Sequence, residues 1–456
     1  MAEESRGFAS RFGYIMTLAG FCIGISNMWR FPYLTGSMGG GAFLIVYICC
    51  AIGVGIPLFI MEQQLGRSSQ LSGIAGMYAL APTHKKFWRA TGWIGFLAVV
   101  IIAFYFWTIL GWNVGYFIKI LDGSLMGLSN SEITQTFTDF SGSWQCVLCS
   151  GATAVLGYLM VGTSVKARIE KLCTVALPTL IVLLIGLAIY SCNLPGAGKG
   201  IKWYILPDFS AVDFMDIFQA AVVQVFFSVG IGMAIAFVYG SYVSKDSNLC
   251  TDSLIAVAMD TTVAFLAGLV IMPALFSYGI APTSGPGLIF ISLPQLFNSM
   301  GPVAGRIFGC FFLFAVFLAC ITSMVAVLEG AVANLGERFK IPRQKANLII
   351  VLITYGMSIL VTLNQGTGVL SSFKIIGMDI FSFFDMIATA FGLTFSAVSE
   401  LAFVVFVMGF ATFQKEANMG AGKIRVGNWM KGYYNVVLPI ILIFVVICVF
   451  RMYFGG

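Results

Sequence analysis

The residues best placed to do chemistry sit where a membrane-buried helix would be least expected to hold them. They form the run Gly20-Phe-Cys-Ile-Gly-Ile-Ser-Asn-Met-Trp-Arg-Phe-Pro32, inside an apolar stretch extending from about Arg11 to Leu34. That stretch is long enough to cross a bilayer. A plain spanning helix would not hold two glycines, an asparagine, an arginine and a proline at this depth. Backbone that leaves the helix inside hydrocarbon has no water for its N–H and C=O groups, so a break survives only if packed in protein or lining a polar cavity. An unwound turn there offers bare carbonyls to a cation and free amides to an anion. The stretch therefore reads as a midplane site for an ion and a small charged solute. The plainer alternative is a kinked structural helix that uses glycine for close packing.

Two further places carry similar chemistry. Asp260 lies within the apolar run 256–264, far from any expected loop. An ionisable residue at membrane depth costs at least ~2.5–3.5 kcal/mol and marks a functional site by default. Thr322 and Ser323 supply hydroxyl oxygens in another apolar run, although such hydroxyls also bond back to the preceding helical turn. Oxygen is the ligand type that a hard cation takes. Cys146 and Cys149 form a lone C-x-x-C, and His84 is the only histidine. A histidine-based zinc site is thereby excluded and both cysteines read as structural.

The elements that must position these groups follow from composition. The chain has 456 residues, 59% hydrophobic and 10% charged, against about 25% charged in an ordinary soluble domain. A soluble enzyme is excluded and a polytopic, all-α membrane protein is expected. No short basic leader precedes the first apolar segment, which is expected to stay. Apolar runs suggest about eleven spans, near 11–35, 42–66, 90–121, 145–162, 172–192, 216–240, 253–278, 303–335, 346–363, 376–410 and 433–453. The half-apolar stretch 284–297 is too short to span and suits a folded external loop. Most of the 25 Lys and Arg residues fall in loops on the side of the N-terminus, such as Arg67, Lys85, Lys86, Arg89, Lys171, Arg338 and Lys345. The positive-inside rule places the N-terminus in the cytoplasm and, for an odd count, the C-terminus outside. The net charge of +6 thus orients the chain in a cell (inner) membrane, with the lipid bilayer as partner, and does not indicate nucleic acid. Phe227-Ser-Val-Gly-Ile-Gly-Met233 interrupts the sixth span five spans after the first interruption. An odd offset reverses orientation, and paired broken helices in inverted halves point to a transporter binding site. The halves would be 11–192 and 216–410, with 433–453 as an accessory helix.

The motifs Gly24-Ile-Ser-Asn-Met-Trp-Arg-Phe-Pro-Tyr33, Gly39-Gly-Gly-Ala-Phe43 and Gly55-Ile-Pro-Leu-x3-Glu62-x3-Gly-Arg67 closely resemble those of the neurotransmitter:sodium symporters. The resemblance continues through Gln224-Val-Phe-Phe-Ser-x-Gly230, Ser241-Tyr-x-Ser-Lys-Asp246, Gly285-Pro-Gly-Leu-x-Phe290 and Ala319-x-x-Thr-Ser323. It covers nearly the whole chain, which looks like a short bacterial member lacking the usual twelfth span. The family's fold is itself the standard illustration of broken helices with a midplane site.

The resemblance implies two sodium ions. The first would be held by the Cys22 carbonyl, Asn27, Ser228, Asp260 and the substrate carboxylate. The second would be held by carbonyls of Gly20, Ile23 and Ala319 with hydroxyls of Thr322 and Ser323. Sharing a carboxylate between solute and ion would make each ligand stabilise the other. Substrate-contacting residues carried over in the same way are Cys22, Gly24, Ile25, Ser26, Ile102, Phe106, Phe227, Ser228, Gly230, Met233, Ser323 and Val327. Gly24 stands where monoamine carriers have an Asp, which favours a solute with its own carboxylate, an amino acid. Gly230 enlarges the side-chain pocket and Met233 is adaptable, so a large hydrophobic or aromatic amino acid fits best. Asp260 stands where many members have Asn and is expected to supply the fixed negative charge that makes chloride unnecessary. Phe106 replaces the family's usual Tyr, and Tyr105, one residue away, is expected to face elsewhere. The resemblance also implies an outer gate of Arg30 and Asp385 above Phe106 and Phe227, and an inner latch of Arg6 and Glu337. Glu62 and Arg67 are expected to be structural. Sodium-coupled import of an amino acid follows. The rivals are carriage of a smaller neutral amino acid, a channel, and a non-transporting sensor on the same fold. No nucleophile–base pair or cofactor loop suggests an enzyme.

Overall fold

The computed structural model describes residues 8–162, 168–210, 212–283, 285–420 and 422–454. Among the described residues nine helices are long and apolar enough to cross a membrane, from Gly41–Ser69 and Lys85–Leu121 through to Ile380–Met408 and Met430–Phe454. Two more crossings are made in pieces, 11–37 and 214–241, giving the eleven spans expected. Several helix starts are set by side-chain caps: Ser10 accepts from Gly13 N–H, Ser143 from Cys146 N–H, Asn248 from Thr251 N–H and Asp379 from Ser382 N–H. Each oxygen satisfies an otherwise orphaned amide where the chain enters the apolar layer.

Burial sorts the spans into centre and periphery. The most apolar window of Ala304–Phe339, the eighth span, is 83% buried within the protein, whereas that of Met430–Phe454, the eleventh, is 28% buried. The eighth span packs against the first, third, fifth and ninth, so its small residues Ala315, Ala319, Gly330 and Ala331 sit among helices rather than lipid. Close approach through small side chains is how helices associate where lipid removes the hydrophobic driving force.

The first crossing breaks as its composition demands. Arg11–Cys22 ends, Ile23 and Gly24 are extended, and the chain resumes as Ile25–Met28 and then Arg30–Ser37. Pro32 falls in the first turn of the last piece, where its missing N–H is tolerated. The sixth crossing breaks where Phe214–Val229 stops at Gly230, with φ of +69°, and resumes as Ile235–Ser241. A Cβ at Gly230 would lie 2.3 Å from the Phe21 ring, so conformation and space both require glycine. Ala234 also takes a left-handed φ of +56°, an uncommon strain for a residue with a side chain. The stretch after Gly285 folds as a compact cap on the face opposite residue 11. Its Phe290 packs on Trp112, Tyr116 and Phe137. Short helices at Gly73–Leu80, Asn130–Ser141, Ala197–Ile205 and Phe410–Ala417 lie in connections that the hydropathy pattern reads as plain loops.

Candidate functional site

The two breaks meet. Between them lies a cavity of about 380 Å³ lined by Cys22, Gly24, Ile25 and Ser26 from the first crossing and Phe227, Gly230 and Met233 from the sixth. Ile102 and Phe106 of the third span and Ser323 and Val327 of the eighth complete the wall. Eleven of the twelve residues expected to touch substrate are therefore brought together. The exception is Ser228, which is turned away and donates to Asp260 Oδ2 at 2.7 Å. A Cβ at Gly24 would stand 3.0 Å from Ser323 Oγ, so the glycine lets the first and eighth spans approach.

One oxygen-rich cluster lies beside this cavity. Asn27 Nδ2 donates to Asp260 Oδ1 at 2.7 Å, and Asn27 Oδ1 accepts from Gly24 N–H at 2.9 Å. Tyr47 donates to Asp260 Oδ2 at 3.4 Å. Asn27, Tyr47, Ser228 and Asp260 are all buried. The Asn27–Gly24 bond also accounts for the break, since a side-chain carbonyl takes the amide that would otherwise continue the helix to Gly20.

A second cluster sits at the unwound turn. Ser323 Oγ lies 3.2 Å from Gly20 O, 3.3 Å from Phe21 O and 2.8 Å from Ile23 O. Thr322 Oγ1 bonds back to Leu318 O and Ala319 O at 3.0 and 3.1 Å. A hydroxyl carries one proton, so Ser323 satisfies one of three carbonyls at a time. The cluster holds more acceptors than donors, which suits a hard cation. Among the described residues no group of three or more His, Cys, Asp and Glu side chains is placed to hold a metal. A cation here would be held by neutral oxygens and, at the first cluster, by the one carboxylate of Asp260.

At the face opposite residue 11 the structure adds detail to one expectation and corrects two. Arg30 and Asp385 both line the cavity, yet among the described residues no ion pair joins them. Arg30 instead lies over the Phe227 ring, 4.5 Å from its centroid, a cation–π contact. Tyr105 does not face elsewhere. It lines the same cavity and packs on Phe381 at 4.9 Å, because a helix bordering a wide cleft presents two adjacent residues to it. The eleventh span is not merely accessory either: Met452 and Tyr453 line the cavity, and Tyr453 donates to Asp385 Oδ2 at 2.6 Å. No local spacing in the sequence links positions 385 and 453, so only the folded chain reveals the contact.

The opposite end is held together by other groups. Arg6 lies outside the described residues. Glu337 accepts from the Ser72 amide and hydroxyl at 2.7 and 2.6 Å. Arg11 pairs with the buried Asp252 at 2.7 Å, and Phe8 packs on Tyr14 at 4.9 Å. Glu329 is paired with Arg343 and accepts from Tyr242 at 2.6 Å. Glu62 accepts from Gly232 N–H at 2.6 Å. Arg67 donates to carbonyls of Ser247, Met419 and Glu416. Both Glu62 and Arg67 lie away from the cavity walls.

Two discontinuous spans enclosing a solute-sized cavity, flanked by oxygen clusters, define a membrane transporter. Over residues 6–136 and 128–454 the chain matches the sodium:neurotransmitter symporter family. An uncharacterised sodium-dependent transporter of Haemophilus influenzae is 29% identical over 98% of both chains. Another, from Methanocaldococcus jannaschii, is 32% identical over 97% of this chain and 90% of its own. The crystal structure of MhsT in complex with L-phenylalanine superposes with a TM-score of 0.86 at 31% identity, covering 98% of this chain and all of that one. The chain belongs to the sodium:neurotransmitter symporter family, and is a sodium-dependent transporter, not an enzyme.

Proposed function

We propose that this protein imports a large hydrophobic or aromatic amino acid together with two sodium ions, by alternating access between inverted halves 11–192 and 216–410. The observation that carries the reading is the chemistry of the central cavity. Its side is apolar, from Ile102, Phe106, Phe227, Met233 and Val327, and its floor is the break itself, the extended Gly24 and the start of the helix at Ile25 and Ser26. A carboxylate would lie against the floor and an apolar side chain against the wall, as small-molecule sites generally divide their work. That MhsT was solved with L-phenylalanine supports the same class of solute. The Asp260 cluster would hold one sodium through Asn27, Ser228, the Cys22 carbonyl and the substrate carboxylate. The Ser323 cluster would hold the other through Gly20, Ile23, Ala319 and Thr322.

Asp260 also makes chloride unnecessary on this reading, since its carboxylate sits between Tyr47 and Ser228 as a built-in anion. The N-terminus is cytoplasmic, which makes the Arg30–Asp385 end external and the C-terminus external. At a potential of 100 mV each inward elementary charge gains about 2.3 kcal/mol, so two ions support steep accumulation. The test is uptake of radiolabelled phenylalanine into proteoliposomes under an inward sodium gradient, with competition by unlabelled amino acids. Uptake should vanish when potassium replaces sodium and persist when gluconate replaces chloride. Sodium-independent counterflow, or a strict chloride requirement, would overturn the respective part.

A further inference from the structure

We infer that Tyr453 is a positioning residue of the outer gate: its phenol holds Asp385 back from Arg30, and gate closure exchanges that bond for the ion pair. The inference rests on the transport reading above and adds a partner to its outer gate. Four observations carry it. Asp385 Oδ2 accepts from Tyr453 at 2.6 Å. Arg30, Asp385 and Tyr453 all line one cavity. Arg30 is engaged with the Phe227 ring at 4.5 Å, and no ion pair joins it to Asp385 among the described residues.

The chemistry sets the direction of the exchange. A guanidinium grips a carboxylate best through two parallel bonds to its two oxygens; the phenol bond holds the Asp385 carboxyl toward the eleventh span, out of ion-pair reach of Arg30. In a wet cleft the ion pair gains little, because water screens both charges. Once an apolar solute displaces that water, the attraction between two full charges strengthens several-fold, and by more than the phenol's bond to one charge. Tyr453 thus favours the open cleft, and the bound solute favours closure.

The supporting framework is also visible. The eleventh span is fastened to the tenth by Phe391 against Phe450 at 5.1 Å and against Phe454 at 6.3 Å. It touches the first half of the sixth through Phe218 and Phe444 at 5.5 Å. Tyr453 therefore sits on a scaffold shared with Asp385 and with the helix that carries Phe227, rather than on a free tail.

The test uses full-length protein in nanodiscs with sodium present. Ile109→Cys places a thiol on the cavity wall, in a stretch of the third span that holds no other cysteine, and its modification by a membrane-impermeant thiosulfonate is read by mass spectrometry of that peptide. Two quantities are measured: the labelling rate without solute, and the phenylalanine concentration that halves it. Tyr453→Phe keeps the ring and removes the donor, and should lower one or both by about tenfold, the worth of one hydrogen bond to a charged group. In an Asp385→Asn background the same substitution should change neither by more than about twofold. A Tyr453→Phe variant that leaves both quantities unchanged, or shifts them equally with Asp and Asn at 385, would overturn the inference. Absence of sodium-driven phenylalanine uptake by the unmodified protein would instead overturn the transport reading, and the solute-free labelling rate would still report the gate.

Discussion

Asp260 concentrates the electrostatic argument in one side chain. It is buried, accepts from Asn27 and Ser228, and lies beside Tyr47. Asp260→Asn removes the fixed charge without changing the shape. We expect sodium-driven uptake in chloride-free buffer to fall at least tenfold, with partial recovery on adding chloride, measured as initial rates in proteoliposomes. Phe106 gives a milder expectation. It lines the cavity beside Ile102, so Phe106→Tyr adds a hydroxyl facing the solute and should preserve or raise uptake; complete loss would mean that the ring points elsewhere. The break at Gly24 and the burial of Asp260 among hydrogen-bond partners were legible in the sequence, because hydrocarbon penalises a charge or a bare amide too heavily for either to face lipid. Tyr105 was not, since adjacency on a helix of 3.6 residues per turn does not say how wide a cleft it faces.

At the scale of elements, the broken spans are the part that sequence exposes and the part that tertiary bonds must finish. Glycine and asparagine announce the first break, and Gly230 with Gly232 the second. What completes the second is Glu62, which receives the Gly232 amide from a neighbouring span at 2.6 Å. Glu62→Ala leaves that donor buried and unpaired, and should cost about 1–3 kcal/mol of stability, read as a lower midpoint of thermal unfolding in detergent. Glu62→Gln retains an acceptor and should lose markedly less. The short connecting helices escaped the hydropathy pattern because they are too brief to span; Ala197–Ile205 and Phe410–Ala417 declare themselves only through packing on longer neighbours.

At the scale of the molecule, the two ends are held by different chemistry. The end near residue 11 is fastened by charge: the buried Glu329 with the largely covered Arg343 and Tyr242, and the buried Asp252 with the exposed Arg11. Removing one partner of a buried pair costs about 3–5 kcal/mol, whereas replacing both with apolar residues is often neutral. Glu329→Ala should therefore lower the unfolding midpoint sharply, while the combination Glu329→Leu with Arg343→Met should recover most of it. If the double variant stays as unstable as the single one, the pair is more than a fastening. The eleven crossings and their order were readable from apolar length alone, but neither of these ion pairs was, because their partners lie on separate elements.

The three carbonyls around Ser323 have one further consequence. A single proton, nearest the Ile23 carbonyl at 2.8 Å, leaves the Gly20 and Phe21 carbonyls of that corner without it, and on the proposed reading a positive charge would engage every oxygen together. Because the corner is also the bend of the first crossing, an ion bound there would stiffen the bend. Salt outside the cell would then act on this protein as a mechanical setting as well as a fuel.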